Sequence, residues 1–225
     1  VQVAREASVI MVLIGPPGAG KGTQASRIEE ALLIGNLSTG ALLRDAITSQ
    51  SALGNRAKVL VEGGNFVPDD IMIALVLERI NEADCANGFI LDGFPRTLTQ
   101  AEALDELMEE RGSKIDAVIE LTLNDDIVIE RITGRFSCKD CDEGYHKAHK
   151  LPEIEGVCDV CGGTEFLQRA DDNEAKIRTR LALYHEQTAP ILPYYQQRGI
   201  LISVDGSKNL DNVTGQLKEV LSSVN

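Results

Sequence analysis

Residues 15–23 read GPPGAGKGT and directly follow the apolar run VIMVLI at residues 9–14. A continuous apolar run that stops at glycine is typical of a parallel strand covered on both faces. The glycine-rich stretch fits the pattern G-x-x-x-x-G-K-[ST], whose backbone N–H groups surround phosphate oxygens at the start of a helix. The sequence therefore predicts a strand, a phosphate-binding loop and a helix in succession. A glycine-rich turn without a ligand is the alternative.

Each residue type in this loop has its own chemistry. Glycines let the backbone approach phosphate oxygens, the lysine supplies a mobile charge to the β- and γ-phosphates, and the threonine hydroxyl suits Mg²⁺. The predicted contacts of a nucleoside triphosphate are Gly18, Ala19, Gly20, Lys21, Gly22 and Thr23. The loop alone does not specify which reaction follows binding.

Composition limits the classes of protein to consider. The chain has 225 residues, of which 43% are hydrophobic, a size that suits one domain with an insert. Its net charge of −13 argues against nucleic acid as a partner, because duplex binding needs a basic face. No stretch approaches the roughly 18 apolar residues of a membrane span. We expect a cytoplasmic protein that binds no membrane, with residues 1–8 as a polar N-terminal extension.

Apolar runs and helical patterns alternate along the rest of the chain. Runs that suit buried strands occur at residues 88–91 (GFIL), 117–123 (AVIELTL) and 200–204 (ILISV). Helical patterns occur at residues 23–33, 98–110, 125–132 and 174–183, and a further helix start at residues 68–70 (PDD). The alternation predicts an α/β fold with a parallel sheet, and ligands in the crevice beyond the carboxyl ends of its strands.

Residues 136–168 break this alternation. They lack a helical period and contain the pattern Cys138-x2-Cys141-x16-Cys158-x2-Cys161. The spacing suits a structural zinc site with four thiolates, which leaves no coordination position open for catalysis. Disulfides, a metal-free thiol cluster and bound iron are the alternatives. We predict a small inserted subdomain held together by zinc.

Three further stretches suit the binding of a second phosphate group. They are LSTG at residues 37–40, followed by Arg44; LDGFPRT at 91–97, followed by Gln100; and QRADDN at 168–173, followed by Arg180. After such a loop and in this order, they resemble the adenylate kinase family in its long-lid bacterial form. The resemblance covers nearly the whole chain. It implies a P-loop NTPase-type parallel sheet flanked by helices, an inserted zinc-binding lid and a helical segment that binds a nucleoside monophosphate.

The resemblance implies a nucleoside monophosphate kinase domain at residues 9–225. Its core comprises residues 9–37, 68–134 and 169–225, its monophosphate-binding segment residues 38–67, and its zinc lid residues 135–168. The implied reaction is reversible transfer of the terminal phosphoryl group of MgATP to AMP, giving two ADP and serving adenine nucleotide homeostasis. The implied cofactors are Mg²⁺ with ATP and a structural Zn²⁺ in the lid, and the family is usually monomeric.

Site residues also follow from the resemblance. For catalysis it implies Lys21, Asp92, Arg96, Arg135, Arg169 and Arg180. For ATP it adds, beyond the loop, Arg131, Arg135, Gly144, Tyr145 and Lys208. For AMP it implies Thr39, Arg44, Asn65, Phe66, Val67, Gly93, Phe94, Pro95, Arg96, Gln100, Arg169 and Arg180. The Gln100 amide offers one donor and one acceptor to a base edge, which would distinguish adenine from guanine.

Elementary chemistry is consistent with so many arginines. Phosphoryl transfer to a second phosphate brings two polyanions together, and arginine binds phosphate oxygens bidentately while staying ionised. Taken alone, Arg131, Arg135 and Arg180 would be solvated charges on helix faces. Three other functions remain open: a kinase for a pyrimidine monophosphate, an ATP sensor without turnover, and a zinc module that binds nucleic acid.

Two departures from the family pattern lie beside the expected acceptor pocket. Ala41 stands where an aspartate usually follows Ser-Thr-Gly, and residues 33–36 read LIGN in place of a Gly-Ile-Pro-His-like turn. Neither changes a predicted phosphate ligand. We expect them to alter the affinity for the acceptor and not the type of reaction.

Overall fold

The computed structural model describes residues 9–63, 67–169 and 172–224. Its strands are β1 (Val9–Ile14), β2 (Gly35–Ser38), β3 (Gly88–Asp92), β4 (Ala117–Thr122), β5 (Arg135–Cys138), β6 (Gly144–His146), β7 (Phe166–Leu167) and β8 (Leu201–Asp205). Its α-helices are α1 (Lys21–Leu32), α2 (Thr39–Thr48), α3 (Ala52–Gly63), α4 (Asp69–Arg79), α5 (Leu98–Glu110), α6 (Asp125–Thr133), α7 (Glu174–Leu183), α8 (Leu192–Gln197) and α9 (Leu210–Val224). None of these described helices is long and apolar enough to cross a membrane.

Five strands form a parallel sheet in the order β2-β3-β1-β4-β8. The central strand β1 is buried along its whole length. Its side chains alternate between two apolar clusters, one on each face of the sheet. One cluster contains Ile10, Val12 and Ile14. The other contains Val9, Met11 and Leu13. A parallel strand covered on both faces has no solvent-facing side, which explains its uninterrupted apolar sequence. The predicted α/β fold is confirmed.

All four predicted strands and all four predicted helices are present, with ends that differ by at most two residues. The helix start predicted at residues 68–70 is confirmed as the start of α4. By contrast, β2 was not predicted. Its sequence, GNLS, has one leucine among small and polar residues, and it forms the sheet edge by pairing with β3. Residues 33–36, which depart from the family's turn sequence, follow α1 and lead into this edge strand.

The inserted segment forms its own antiparallel sheet in the order β6-β5-β7. Three aromatic rings, those of Phe136, Tyr145 and Phe166, pack against one another with centroids 5.5–5.6 Å apart. This aromatic cluster is small, and the four cysteines lie beside it. The insert therefore has little apolar core of its own.

The insert joins the core through two helices that pack against each other. It follows α6 and precedes α7, and the contact between these helices is apolar: Val128, Ile132, Ile177 and Leu181. The sheet of the core is complete without any strand of the insert.

Helix α1 ends at a leucine in an unusual backbone conformation. Leu33 has φ 54° and ψ 44°, in the left-handed region, and its side chain is 82% exposed. This conformation costs a residue with a Cβ about 1–2 kcal/mol, whereas glycine adopts it readily.

We predict that Leu33→Gly raises the free energy of unfolding by about 1 kcal/mol, measured by urea denaturation. The exposed side chain contributes little packing, so relief of backbone strain dominates. Ala31→Gly, two residues earlier, exposed and within α1, is the matched control and should lower stability by about 1 kcal/mol. A loss of stability in Leu33→Gly would contradict the argument.

Candidate active site

The phosphate loop joins β1 to α1 at the carboxyl edge of the sheet. Gly18 has φ 75°, and a Cβ at this position would lie 2.8 Å from Cγ1 of Ile132, so a larger residue does not fit. A Cβ on Gly20 would meet nothing within 4 Å among the described atoms. The loop therefore leaves open space for an anion at the positive end of α1.

Lys21, the first residue of α1, turns its side chain back over the loop. Its ammonium group donates hydrogen bonds to the backbone oxygens of Gly15 at 2.8 Å and Pro16 at 2.9 Å. Burial lowers the pKa of Lys21 to about 8; the carboxylate of Asp92 opposes this shift and nearby arginines add to it. A polyphosphate bound here would favour the charged form of the lysine.

Asp92 ends β3 and pairs in register with Leu13 of β1. This pairing brings its carboxylate to the loop, because a Cβ on Gly22 would lie 3.3 Å from Oδ2 of Asp92. Thr23, the predicted magnesium ligand, follows Gly22 directly. The carboxylate of Asp92 thus lies at the first turn of α1, one residue from Thr23, and oxygen atoms of both kinds are ligands that Mg²⁺ prefers.

Arg96 is held through both its backbone and its side chain. Its Nε donates to the backbone oxygen of Gly93 at 2.7 Å, and its own carbonyl accepts from Oγ1 of Thr188 at 3.0 Å. A Cβ on Gly93, which has φ 80°, would lie 2.9 Å from both Nη2 of Arg96 and Oγ1 of Thr39. Burial and the charge of Arg180 lower the pKa of Arg96 to about 10, which leaves it charged at neutral pH.

One cavity connects the phosphate loop with the predicted acceptor arginines. Its lining residues include Pro17, Lys21, Gly93, Arg96, Arg180 and Thr188. Positive charge from three separate parts of the chain, at Lys21, Arg96 and Arg180, thus faces the same space. This arrangement suits two phosphate groups brought together.

One arginine and one carboxylate of the lid form ion pairs with residues outside it. Arg135 forms a two-pronged pair with the fully buried carboxylate of Asp172, Nε to Oδ2 at 2.9 Å and Nη2 to Oδ1 at 2.6 Å. The lid residue Asp142 faces two other predicted phosphate ligands, with Oδ2 at 3.4 Å from Nη2 of Arg169 and 4.0 Å from Nη2 of Arg44. The lid therefore reaches the predicted acceptor segment.

The turn after β8 lies beside the phosphate loop. Arg131 donates to the backbone oxygens of Gly206 at 2.9 Å and Ser207 at 3.3 Å. A Cβ on Gly206 would lie 3.3 Å from the carbonyl oxygen of Ala19. Arg131 thus fixes this turn through its guanidinium group.

The other residues predicted to contact ATP differ in exposure. Lys208 and Gly144 are exposed, whereas Tyr145 is buried in the lid core. The hydroxyl of Tyr145 donates to Sγ of Cys158 at 3.4 Å and accepts from the backbone N–H of Asp159 at 2.8 Å. The ring and hydroxyl of Tyr145 thus belong to the lid core, and its backbone pairs with Phe136 between β5 and β6.

The predicted acceptor residues lie around the carboxyl ends of β2 and β3. Thr39 is fully buried, and its hydroxyl lies 3.1 Å and 3.0 Å from the backbone oxygens of Asp92 and Gly93. Val67 and Phe94 share one apolar cluster. Pro95 is buried next to Phe94 and lines the cavity. Asn65 and Phe66 lie outside the described residues.

The four lid cysteines form one cluster of free thiols. Their Sγ atoms all lie within 4.8 Å of one another, with Cys138 to Cys161 and Cys141 to Cys158 at 3.6 Å. Four sulfur atoms bound tetrahedrally to zinc at about 2.3 Å would be about 3.8 Å apart. The spacing therefore fits a zinc ion with four thiolate ligands.

Three residues that position this site had no assigned role in the sequence analysis. Asp172 lies within the QRADDN motif, and Asp69, whose Oδ1 accepts from Nε2 of Gln100 at 2.7 Å, was noted only as a helix start. Thr188 ends a π-helical turn, Tyr184–Thr188, which has no periodic signature in sequence. Their partners are distant in the chain, so local patterns do not reveal them.

Comparison with known proteins agrees with this geometry. A family model described as adenylate kinase matches residues 13–200. The chain is 49% identical to an adenylate kinase of Allorhizobium ampelinum over 94% of this chain and 98% of that protein. It is 49% identical to one of Paramagnetospirillum magneticum (94% and 97% covered) and 50% identical to one of Moorella thermoacetica (90% and 93%). The chain therefore belongs to the adenylate kinase family.

Proposed function

We propose that the chain catalyses reversible transfer of the terminal phosphoryl group of MgATP to AMP, giving two ADP. The observation that carries this proposal is the shared cavity, in which a phosphate loop faces two arginines, Arg96 and Arg180. Family membership makes the chain an ATP:AMP phosphotransferase. An ATP sensor would need only the loop, whereas the arginines supply a second phosphate site.

On the donor side, the loop N–H groups and Lys21 hold the β- and γ-phosphates of ATP. Lys21 exchanges its hydrogen bonds to loop carbonyls for bonds to phosphate oxygens. Thr23 and Asp92 are the residues that would hold Mg²⁺, which would neutralise charge on the phosphates. The turn fixed by Arg131, together with Lys208, lies beside the adenosine of the donor.

On the acceptor side, Arg44 and Arg96 hold the phosphate of AMP so that one of its oxygens faces the γ-phosphorus in line with the leaving ADP. Arg135, Arg169 and Arg180 stabilise the charge that spreads over the transferred group. No covalent bond to the protein forms. Positioning and charge therefore provide the catalysis.

Lid closure completes the site and excludes water, which limits hydrolysis of ATP. Zn²⁺ bound by Cys138, Cys141, Cys158 and Cys161 would keep the lid rigid, because the lid has little apolar core of its own. We further propose a cytoplasmic monomer that needs neither membrane nor nucleic acid. The net charge of −13 supports this proposal.

Arg180 is tested against a neighbour on the same helix. We predict that Arg180→Lys lowers kcat at least about 10²-fold, because a lysine cannot bind phosphate oxygens bidentately. Arg178 on α7 pairs with Glu174 at 2.8 Å and is exposed, so Arg178→Lys should change kcat less than about twofold. Rates are measured as ADP formation from MgATP and AMP.

The wild type is also assayed with GMP, CMP and UMP as acceptors. Turnover of a pyrimidine monophosphate as fast as that of AMP would contradict the assignment of adenine as the acceptor base.

The lowered pKa of Lys21 predicts proton uptake on ATP binding. At pH 8.5 most Lys21 side chains are neutral in the free protein, since the pKa is about 8. A polyphosphate raises this pKa, so the affinity for MgATP falls as the pH rises through 8. Calorimetry in buffers of different ionisation enthalpy should show uptake of about three quarters of a proton at pH 8.5 and almost none at pH 6.5. Lys21→Arg should bind without uptake, and equal wild-type uptake at both pH values would refute the assignment.

The lid cysteines predict one zinc ion per chain. Cys161→Ser should lose this zinc and lower Tm by several degrees, while activity at low temperature falls only a few-fold, because the cluster is not part of the cavity lining. Cys85→Ala, which alters the buried cysteine outside the lid, is the control and should retain one zinc. Elemental analysis and thermal denaturation provide the readouts, and a wild-type protein purified without zinc or iron would disprove the metal assignment.

A further inference from the structure

The amide of Gln100 is held between two partners of opposite kind. Gln100 is 2% exposed; its Oε1 accepts from the backbone N–H of Arg96 at 2.8 Å, and its Nε2 donates to Oδ1 of Asp69 at 2.7 Å. A backbone N–H only donates and a carboxylate only accepts. Turning the amide by 180° would place N–H against N–H and oxygen against carboxylate. Only one orientation of the Gln100 amide is therefore stable.

Asp69 is itself fixed by its surroundings. Its second oxygen, Oδ2, accepts from the hydroxyl of Thr97 at 2.9 Å, and the same hydroxyl caps α5 by accepting from the backbone N–H of Gln100 at 3.2 Å. Asp69 is also the first residue of α4, where a negative charge is favourable. Both carboxylate oxygens of Asp69 are thus used to join the starts of α4 and α5.

We propose that Asp69 is a positioning residue that determines which purine the acceptor site selects. These two contacts leave the Gln100 amide with one N–H and one oxygen lone pair, at fixed places. Adenine presents an amino donor at C6 and an acceptor at N1, and guanine presents the reverse pair. One amide orientation therefore matches adenine, and the opposite orientation matches guanine. This inference rests on the proposed function, with Gln100 beside the acceptor base.

The test replaces the carboxylate without changing its size. In Asp69→Asn, the amide of the new side chain offers both a donor and an acceptor, so only the backbone N–H of Arg96 still opposes the turned Gln100. We expect the ratio of kcat/KM for AMP to that for GMP to fall about tenfold, the scale of one hydrogen bond to a charged group. KM for MgATP should not change, because the donor phosphates bind at the loop.

Asp70→Asn is the matched control. Asp70 is the next residue in the first turn of α4, is exposed and pairs only loosely with Arg56 at 3.4 Å. The substitution removes the same charge from the same end of α4 as Asp69→Asn does. The ratio of kcat/KM for AMP to that for GMP should therefore stay within about twofold of the wild-type ratio. Thr97→Val removes the hydroxyl that holds Asp69 and should lower the ratio about threefold, which provides a second test if Asp69→Asn does not fold.

Two outcomes overturn the proposal, and they differ from a failure of the proposed function. An unchanged AMP-to-GMP ratio in folded Asp69→Asn would show that Asp69 has no part in selection. A wild-type protein that uses AMP and GMP equally would remove the selectivity to be explained. If instead the wild type forms no ADP from MgATP and AMP, the proposed function fails first.

Discussion

Repulsion among like charges is the constraint around which this molecule is arranged. Arg96, Arg180 and Arg135 lie close enough to Lys21 that their charges help lower its pKa. Such a group is stable without a substrate only if carboxylates are placed among the cations. Asp92 partly offsets the shift at Lys21, and Asp172 binds Arg135 through two hydrogen bonds. These carboxylates keep the cations in place when no substrate is bound. A bound phosphate can then replace a carboxylate as the partner of a cation.

The parallel sheet decides where these charges meet. Because β1 and β3 are adjacent and parallel, the phosphate loop after β1 and the DGFPR stretch after β3 leave the sheet at the same edge. Both turns then need glycine, since Gly18 and Gly93 have positive φ and crowded Cβ positions. A buried strand pair therefore determines the distance between the donor and acceptor sites.

Elements with strong local signals were predictable from the sequence. The strand β1 and its loop carry an uninterrupted apolar run and a glycine pattern, whereas β2 owes its conformation to pairing with β3 and has no apolar period. The same distinction, between residues with a local sequence signal and residues placed by tertiary contacts, applies to the site. Arg96, Arg169 and Gln100 lie in or beside specific motifs, but Thr188 contacts Arg96 across 92 residues and Asp69 contacts Gln100 across 31. Such pairs depend on tertiary packing, which local periodicity does not encode.

The way the lid joins the core has a consequence for how this enzyme can change. Its two ends adjoin α6 and α7, which pack through their own apolar contact, and the core sheet contains no lid strand. The length of the lid is therefore separable from the pairing of the core sheet. A longer or shorter segment could join the same two helix ends without altering a strand of the core sheet, so this junction is a place where the chain can change in length while the core keeps its order of strands.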